Sequence, residues 1–194
     1  TMKLKDTIDF VNGILPSKGS VLLSEPFLQD PHFERSVVLM CEHSDAESFG
    51  FVLNHQSKVQ LKDLMDIAPD SIPIYFGGPV ANNSLFYLHM IPGIDSSEEI
   101  LPGLFYGGDL AELLEIIEID PGILVKIRFF LGYSGWGKGQ LAQEIKERSW
   151  ISTTNLSLES LFFTPTDKLW KTCMSFQGEQ FKTFSIFPKN IADN

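Results

Sequence analysis

The chain has 194 residues, of which 43% are hydrophobic, 21% charged and 12% aromatic, a balance that supports one buried core and excludes disordered, collagen-like and disulfide-scaffold classes. Its formal charge of −10 repels phosphate backbones and anionic membrane surfaces, so no direct nucleic-acid or membrane binding is expected. Cys41 and Cys173 lie far apart in a chain whose length needs no staple, which suits reduced thiols in a cytosolic compartment.

At the N-terminus Leu4, Ile8, Val11 and Leu15 recur at helical spacing near the stop signals Asn12-Gly13 and Pro16. A short amphipathic helix is therefore expected in an extension over residues 1–18, ahead of a single domain over 19–194. The same stretch lacks the long apolar run of a signal peptide or membrane span, and a cytoplasmic location is expected. Three strands follow over Ser20–Ser24, Ser36–Cys41 and Phe49–Asn54, each rich in β-branched or aromatic residues and bounded by turn formers. Leu61, Leu64, Met65 and Ala68 predict a short helix ended by Pro69, and Ile72–Phe76 a strand running into Gly77-Gly78-Pro79. Leu85–Met90 predicts a further strand.

Between Asp95 and Asp120 there are eight acidic residues and no Lys or Arg, so the negative charge is local. Asp109 and Glu112 have capping-box spacing for a helix with Leu110, Leu113, Leu114 and Ile117 on its apolar side. Ile123–Leu131 predicts the longest strand, Gly132–Gly139 a glycine-rich turn, and Gln140–Arg148 a helix. Thr164-Pro165 with Asp167 starts a last helix through Leu169, Trp170 and Cys173, and Lys182–Phe187 predicts a closing strand. Strands in succession before the helices intersperse favour a mixed α+β domain over a doubly wound parallel sheet.

Each reactive motif falls short of its pattern. The stretch Gly132-Tyr133-Ser134-Gly135-Trp136-Gly137-Lys138-Gly139 has phosphate-loop spacing through its Lys, but Gly139 stands where a hydroxyl should hold Mg²⁺. Ser134 follows a strand as in a nucleophile elbow, but Trp136 replaces the second glycine. Cys41 and His43 would face one side of a strand like half of a zinc site, and no second closely spaced pair completes it, so no metal or cofactor is expected. Arg35 can anchor a carboxylate, and the Gly77-Gly78 amides can form an anion nest. Gln140 and Glu144 share one helical face.

Six ordered blocks, Asp30-Pro-His-Phe-Glu-Arg-Ser-Val-Val38, Glu42-His43, Gly50-Phe-Val-Leu-Asn54, Phe76-Gly-Gly-Pro-Val80, Leu85-Phe-Tyr-Leu-His89 and Gly132-Tyr-Ser-Gly-Trp-Gly-Lys-Gly-Gln-Leu141, resemble the AlgH family, also labelled YqgE. The resemblance covers roughly Gly19 to Trp170. It implies a bacterial cytosolic protein of α+β fold, a single domain whose mixed, strongly curved or barrel-like sheet has flanking helices. Some members carry the label of transcriptional regulator, with no recognised DNA-binding motif, and an acidic chain suits an indirect role. The family blocks make Arg35, His43, Asn54, Gly77, Gly78, His89, Trp136, Gln140 and Glu144 the candidate ligand-binding residues.

The leading expectation is a non-catalytic binding or regulatory module acting through a protein partner or a small anionic ligand. The alternative is a hydrolase-type enzyme using polar groups near the Gly132–Gly139 turn.

Overall fold

The structure is a computed structural model and describes residues 14–66 and 72–186. The expected N-terminal helix falls outside the described residues, as do Ala68 and Pro69. In chain order the strands are β1 (Val21–Ser24), β2 (Val37–His43), β3 (Glu47–Val52), β4 (Gln56–Gln60), β5 (Pro73–Phe76), β6 (Val80–His89), β7 (Glu98–Leu101), β8 (Leu104–Tyr106), β9 (Ile127–Gly137) and β10 (Trp150–Thr153). The helices are α1 (Leu110–Ile119) between β8 and β9, α2 (Gln140–Lys146) between β9 and β10, then α3 (Leu158–Phe163), α4 (Thr166–Ser175) and α5 (Glu179–Ser185).

The ten strands among the described residues form one sheet in the order β10-β1-β2-β3-β9-β6-β8-β7, with β4 paired to β5 and β5 to β9. Every pairing is antiparallel except β5 with β9. The sheet is therefore mixed, as expected. Period-two alternation divides its apolar residues between two faces. On the inner face Val21, Leu23, Val37, Leu39, Phe51, Leu88 and Phe130 pack with Leu161, Leu169, Trp170 and Phe181 of α3–α5. On the outer face α2 covers Leu22, Val38, Met40 and Val52, while α1 covers Ile74, Tyr87 and Phe129. The sheet is rolled up, because the edge strand β7 returns to the segment before β1. Lys18 ion-pairs there with Glu98, and a Cβ on Gly19 would stand 2.6 Å from the Leu101 side chain.

The central strand β9 pairs with β5 along one edge and with β6 along the other. Residues 77–79 must therefore carry the chain across β9 itself. Gly77 N donates to Leu131 O at 2.9 Å, and Gly77 O accepts from Val52 N at 3.0 Å and from Ser134 Oγ at 2.9 Å. A Cβ on Gly77 would lie 2.3 Å from Gly132 O, one on Gly78 2.3 Å from Ser134 N, and one on Gly132 2.4 Å from Gly78 O. Two backbones cross in contact, and only glycine leaves room.

Several expected elements change here. Gly132–Gly139 is not a turn; residues up to Gly137 continue β9, since β3 and the start of β6 supply ladder partners to Gly135–Gly137 and Tyr133. Gly132, at φ +68°, shifts the alternation, so Leu131 faces outward while Tyr133 faces the inner core. The first residues of the expected Ile123–Leu131 strand form a 3₁₀ turn over Pro121–Lys126, started by Pro121 and the Asp120 cap on Gly122 N. Leu61–Asp63 is a single 3₁₀ turn in place of the longer helix. The closing strand expected over Lys182–Phe187, whose last residue lies outside the described residues, is replaced where the structure describes it: Glu179–Ser185 is α5, which buries Phe181 against the inner core. Asp109 caps α1 as expected, accepting from Ala111 N and Glu112 N. Glu112 does not close the box and accepts from Asp95 N instead, at 2.9 Å.

Candidate functional site

Three of the nine candidate residues come together. Glu144 on α2 accepts from the indole Nε1 of Trp136 and of Trp150 at 2.8 Å each, both on Oε2, and from Gln140 Nε2 on Oε1 at 2.9 Å. Gln140 in turn accepts from Gly137 N at 3.1 Å. The one-turn spacing of Gln140 and Glu144 makes this reachable. Trp136 and Trp150 pack edge to face at 5.9 Å, and Phe33 lies against both. This node clamps α2 to the outer face of β9 and β10, with both indoles almost fully buried. Trp150 escaped sequence reasoning because it lies outside the family blocks; its only signal was a Trp six residues after Glu144.

The other candidates stand elsewhere with local tasks. Asn54 accepts from Val37 N and donates to Arg35 O, both at 2.9 Å, which ties the entry of β2 to the exit of β3. Arg35 has φ +50°, and its guanidinium lies 5.1 Å above the Trp170 ring of α4. Burial lowers its pKa against the opposing charge of Glu34. The Gly77 amide is spent on Leu131 O, so it is not offered to an anion. His89 is buried, stacked on Phe105 at 5.5 Å, with Nε2 on Gly107 O at 2.9 Å. Burial lowers its pKa, partly offset by backbone contacts with Gly107 and Ile91. His43 Nδ1 lies 2.7 Å from Ser48 Oγ across the β2–β3 hairpin.

A cleft of about 570 Å³ opens where β3, β6, β8 and the C-terminal half of β9 meet. Phe49, Phe86, Tyr106 and Tyr133, none of them a site candidate from the sequence, line it with Val80, Glu47, Ser48 and Gly135–Gly137, a stretch that includes the candidate Trp136. The rings stand at steep angles: Phe49 and Tyr133 at 5.8 Å and 74°, Phe86 and Tyr133 at 5.7 Å and 82°, Phe49 and Tyr106 at 5.4 Å and 63°. All four are half-buried. Tyr106 is held neutral by burial, which pushes its pKa up, with Cys41, Glu98 and Tyr133 adding to the shift. The cleft is invisible in the sequence because its rings come from four strands, and only the phase shift at Gly132 turns Tyr133 inward.

The groups suited to covalent chemistry are sequestered. Ser134 is fully buried and donates to Gly77 O at 2.9 Å. Burial raises the pKa of the Cys41 thiol and pushes that of Cys173 up to about 12; neither presents a thiolate. Arg128, a buried charge the sequence did not single out, points into the inner core. It donates to Leu53 O at 3.0 Å, Leu161 O at 3.4 Å and Phe162 O at 2.8 Å, sandwiched by the rings of Tyr75 and Phe162. Two of those carbonyls end α3, whose partial negative charge balances the guanidinium. Among the described residues no group of three or more His, Cys, Asp or Glu could hold a metal ion, and no helix is long and apolar enough to cross a membrane.

Residues 21–182 match a family model described as AlgH-like. Proteins named UPF0301 from Bacteroides thetaiotaomicron and Parabacteroides distasonis are each 38% identical to the chain, over 180 and 183 residues; each alignment covers 92% of this chain, and 91% and 92% of the respective relative. Among solved structures, protein DIP2367 from Corynebacterium diphtheriae has a TM-score of 0.76 at 25% identity, covering 94% of this chain and 96% of that one. The solution structure of the AlgH protein from Pseudomonas aeruginosa has a TM-score of 0.68 at 26% identity, covering 89% and 95%.

Proposed function

We propose that the chain, which belongs to the AlgH-like family, is a cytoplasmic binding module with no covalent chemistry of its own, exerting a regulatory effect through what it binds. The observation that carries this reading is the open cleft walled by Phe49, Phe86, Tyr106 and Tyr133. Half-buried rings around a concavity of this size suit a small organic ligand or one anchoring side chain of a protein partner. The sequestered Ser134 hydroxyl and buried thiols fit a site that binds without reacting. The charge of −10 favours a regulatory route through a partner over direct contact with DNA.

The test places a charge in the cleft without touching the core. Val80 is exposed at the cleft wall, so Val80→Lys should leave the fold intact while opposing burial of an apolar or cationic group. Tagged wild-type chain recovered from its native cells is expected to carry a stoichiometric protein or small molecule that Val80→Lys loses. Species that co-purify equally with both would refute the cleft as the site. A stoichiometric fluorophosphonate adduct on Ser134 or Ser48 would refute the non-catalytic reading and restore the hydrolase alternative.

A further inference from the structure

The cleft differs from a generic apolar pocket in how its rings are set and in the charge beside them. Rings stacked face to face hide their negative faces from a ligand. Here Tyr133 stands nearly perpendicular to both Phe49 and Phe86, and Phe49 is steeply inclined to Tyr106. Rings of several different orientations thus border one space. That is the arrangement in which ring quadrupoles act together on a cation.

The only ionisable side chains in the lining are Glu47, Tyr106 and Tyr133, and it contains no Lys or Arg. The Glu47 side chain is exposed at the mouth, without a basic partner among the described residues. Neither tyrosine hydroxyl has a protein hydrogen-bond partner among the described residues. The wall strand β8 belongs to the segment with eight acidic residues and no basic one. An anion entering here would meet the Glu47 carboxylate and no basic side chain of the lining, and a strongly hydrated ammonium would lose its water shell to phenyl rings. A methylated ammonium carries its charge behind methyl groups and is desolvated cheaply, so it gains from both the rings and the carboxylate.

We infer that the cleft between β3, β6, β8 and β9 is an aromatic cage for a small free organic cation with a methylated ammonium head, held over Phe49, Phe86, Tyr106 and Tyr133 with Glu47 at its rim. The inference rests on the cleft being the binding site and adds the chemical class of the occupant. A volume of about 570 Å³ accommodates a small molecule including such a head, and open access suits a ligand that exchanges with solution.

The probes are choline and its uncharged isostere 3,3-dimethyl-1-butanol, titrated separately into the isotope-labelled full chain while the amide resonances of Ser48, Phe49, Gly135 and Gly137 are followed. Choline is expected to shift these amides with a dissociation constant about ten-fold lower than that of the alcohol. Glu47→Gln, an exposed change that leaves the fold alone, is expected to weaken choline several-fold and leave the alcohol unchanged. Tyr133→Leu should abolish the preference. Equal binding of choline and the alcohol would overturn the cation cage while leaving an apolar binding site in place. If neither shifts the amides the cage is overturned, and titration with indole decides the underlying reading: shifts at the same amides keep it, and none removes it. A pentapeptide carrying one trimethyllysine that binds ten-fold more tightly than choline would overturn the free ligand in favour of a peptide.

Discussion

At the scale of single residues, the polar groups near the glycine-rich stretch act on packing. Glu144 satisfies the indole N–H groups of Trp136 and Trp150, residues that are 4% and 2% exposed. Glu144→Ala would strand both donors, and a cost of about 2–4 kcal/mol in urea denaturation is expected. Glu144→Gln keeps an oxygen for the indoles and should recover most of that loss. His89 gives a pH dependence whose sign follows from its burial. Its Nδ1 accepts from Ile91 N at 3.3 Å, so Nε2 carries the proton given to Gly107 O and the ring is neutral. Since burial lowers the folded pKa, the unfolded chain takes up a proton first as pH falls below about 6.5. Stability should therefore be fully present above that pH and decline below it, until the folded ring also titrates. Urea midpoints between pH 7.5 and 5.5 are expected to fall more steeply for wild type than for His89→Gln; parallel slopes would mean that His89 is not the linked group.

At the scale of elements, the crossing of residues 77–79 over β9 explains two glycine blocks that sequence alone could treat only as turn and loop signals. Gly132 combines φ +68° with the Gly78 carbonyl oxygen 2.4 Å from any Cβ, whereas Gly139 has φ +73° and open space. Gly139→Ala should cost about 1–2 kcal/mol for the left-handed backbone alone. Gly132→Ala and Gly78→Ala must also move a neighbouring backbone, and a loss above about 3 kcal/mol is expected. Thermal melts of the three variants separate the contributions, and similar losses in all three would mean that the crossing yields readily. Helix α1 was legible because Asp109 and a 3.6-residue apolar stripe sit within eleven residues. The short strands β4, β7, β8 and β10 were not, since Gln56–Gln60 and Glu98–Leu101 show no strong apolar run. Their ladder partners lie far away in sequence or across an irregular hairpin.

At the scale of the whole molecule, Arg128 joins parts of the chain that local signals never relate. One guanidinium links β9 to the exit of β3 and to the end of α3, across 75, 33 and 34 residues. Arg128→Met should lower stability by about 2–4 kcal/mol and speed proteolysis within residues 158–186, as α3–α5 lose their tie to the inner sheet. An unchanged melt would mean that the desolvation of the guanidinium cancels its hydrogen bonds. The rolled sheet creates the cleft by the same long-range logic: Phe49, Phe86, Tyr106 and Tyr133 come from four different strands, β3, β6, β8 and β9.

The sequence by itself determined the α+β class, the acidic balance, most long strands, helices α1 and α4, and the family. These are carried by local periodicity, caps and ordered motifs, which act within a few residues of one another. It also placed Trp136, Gln140 and Glu144 near each other, because one helical turn and a short connection join them. Only the tertiary structure decided that the glycine-rich stretch is a strand, that Gly77 and Gly78 lie against another backbone, and that Phe49, Phe86, Tyr106 and Tyr133 share a cleft. Each of those outcomes depends on which strand lies beside β9 and how far the sheet rolls, and both are set by the packing of the whole core against α3–α5.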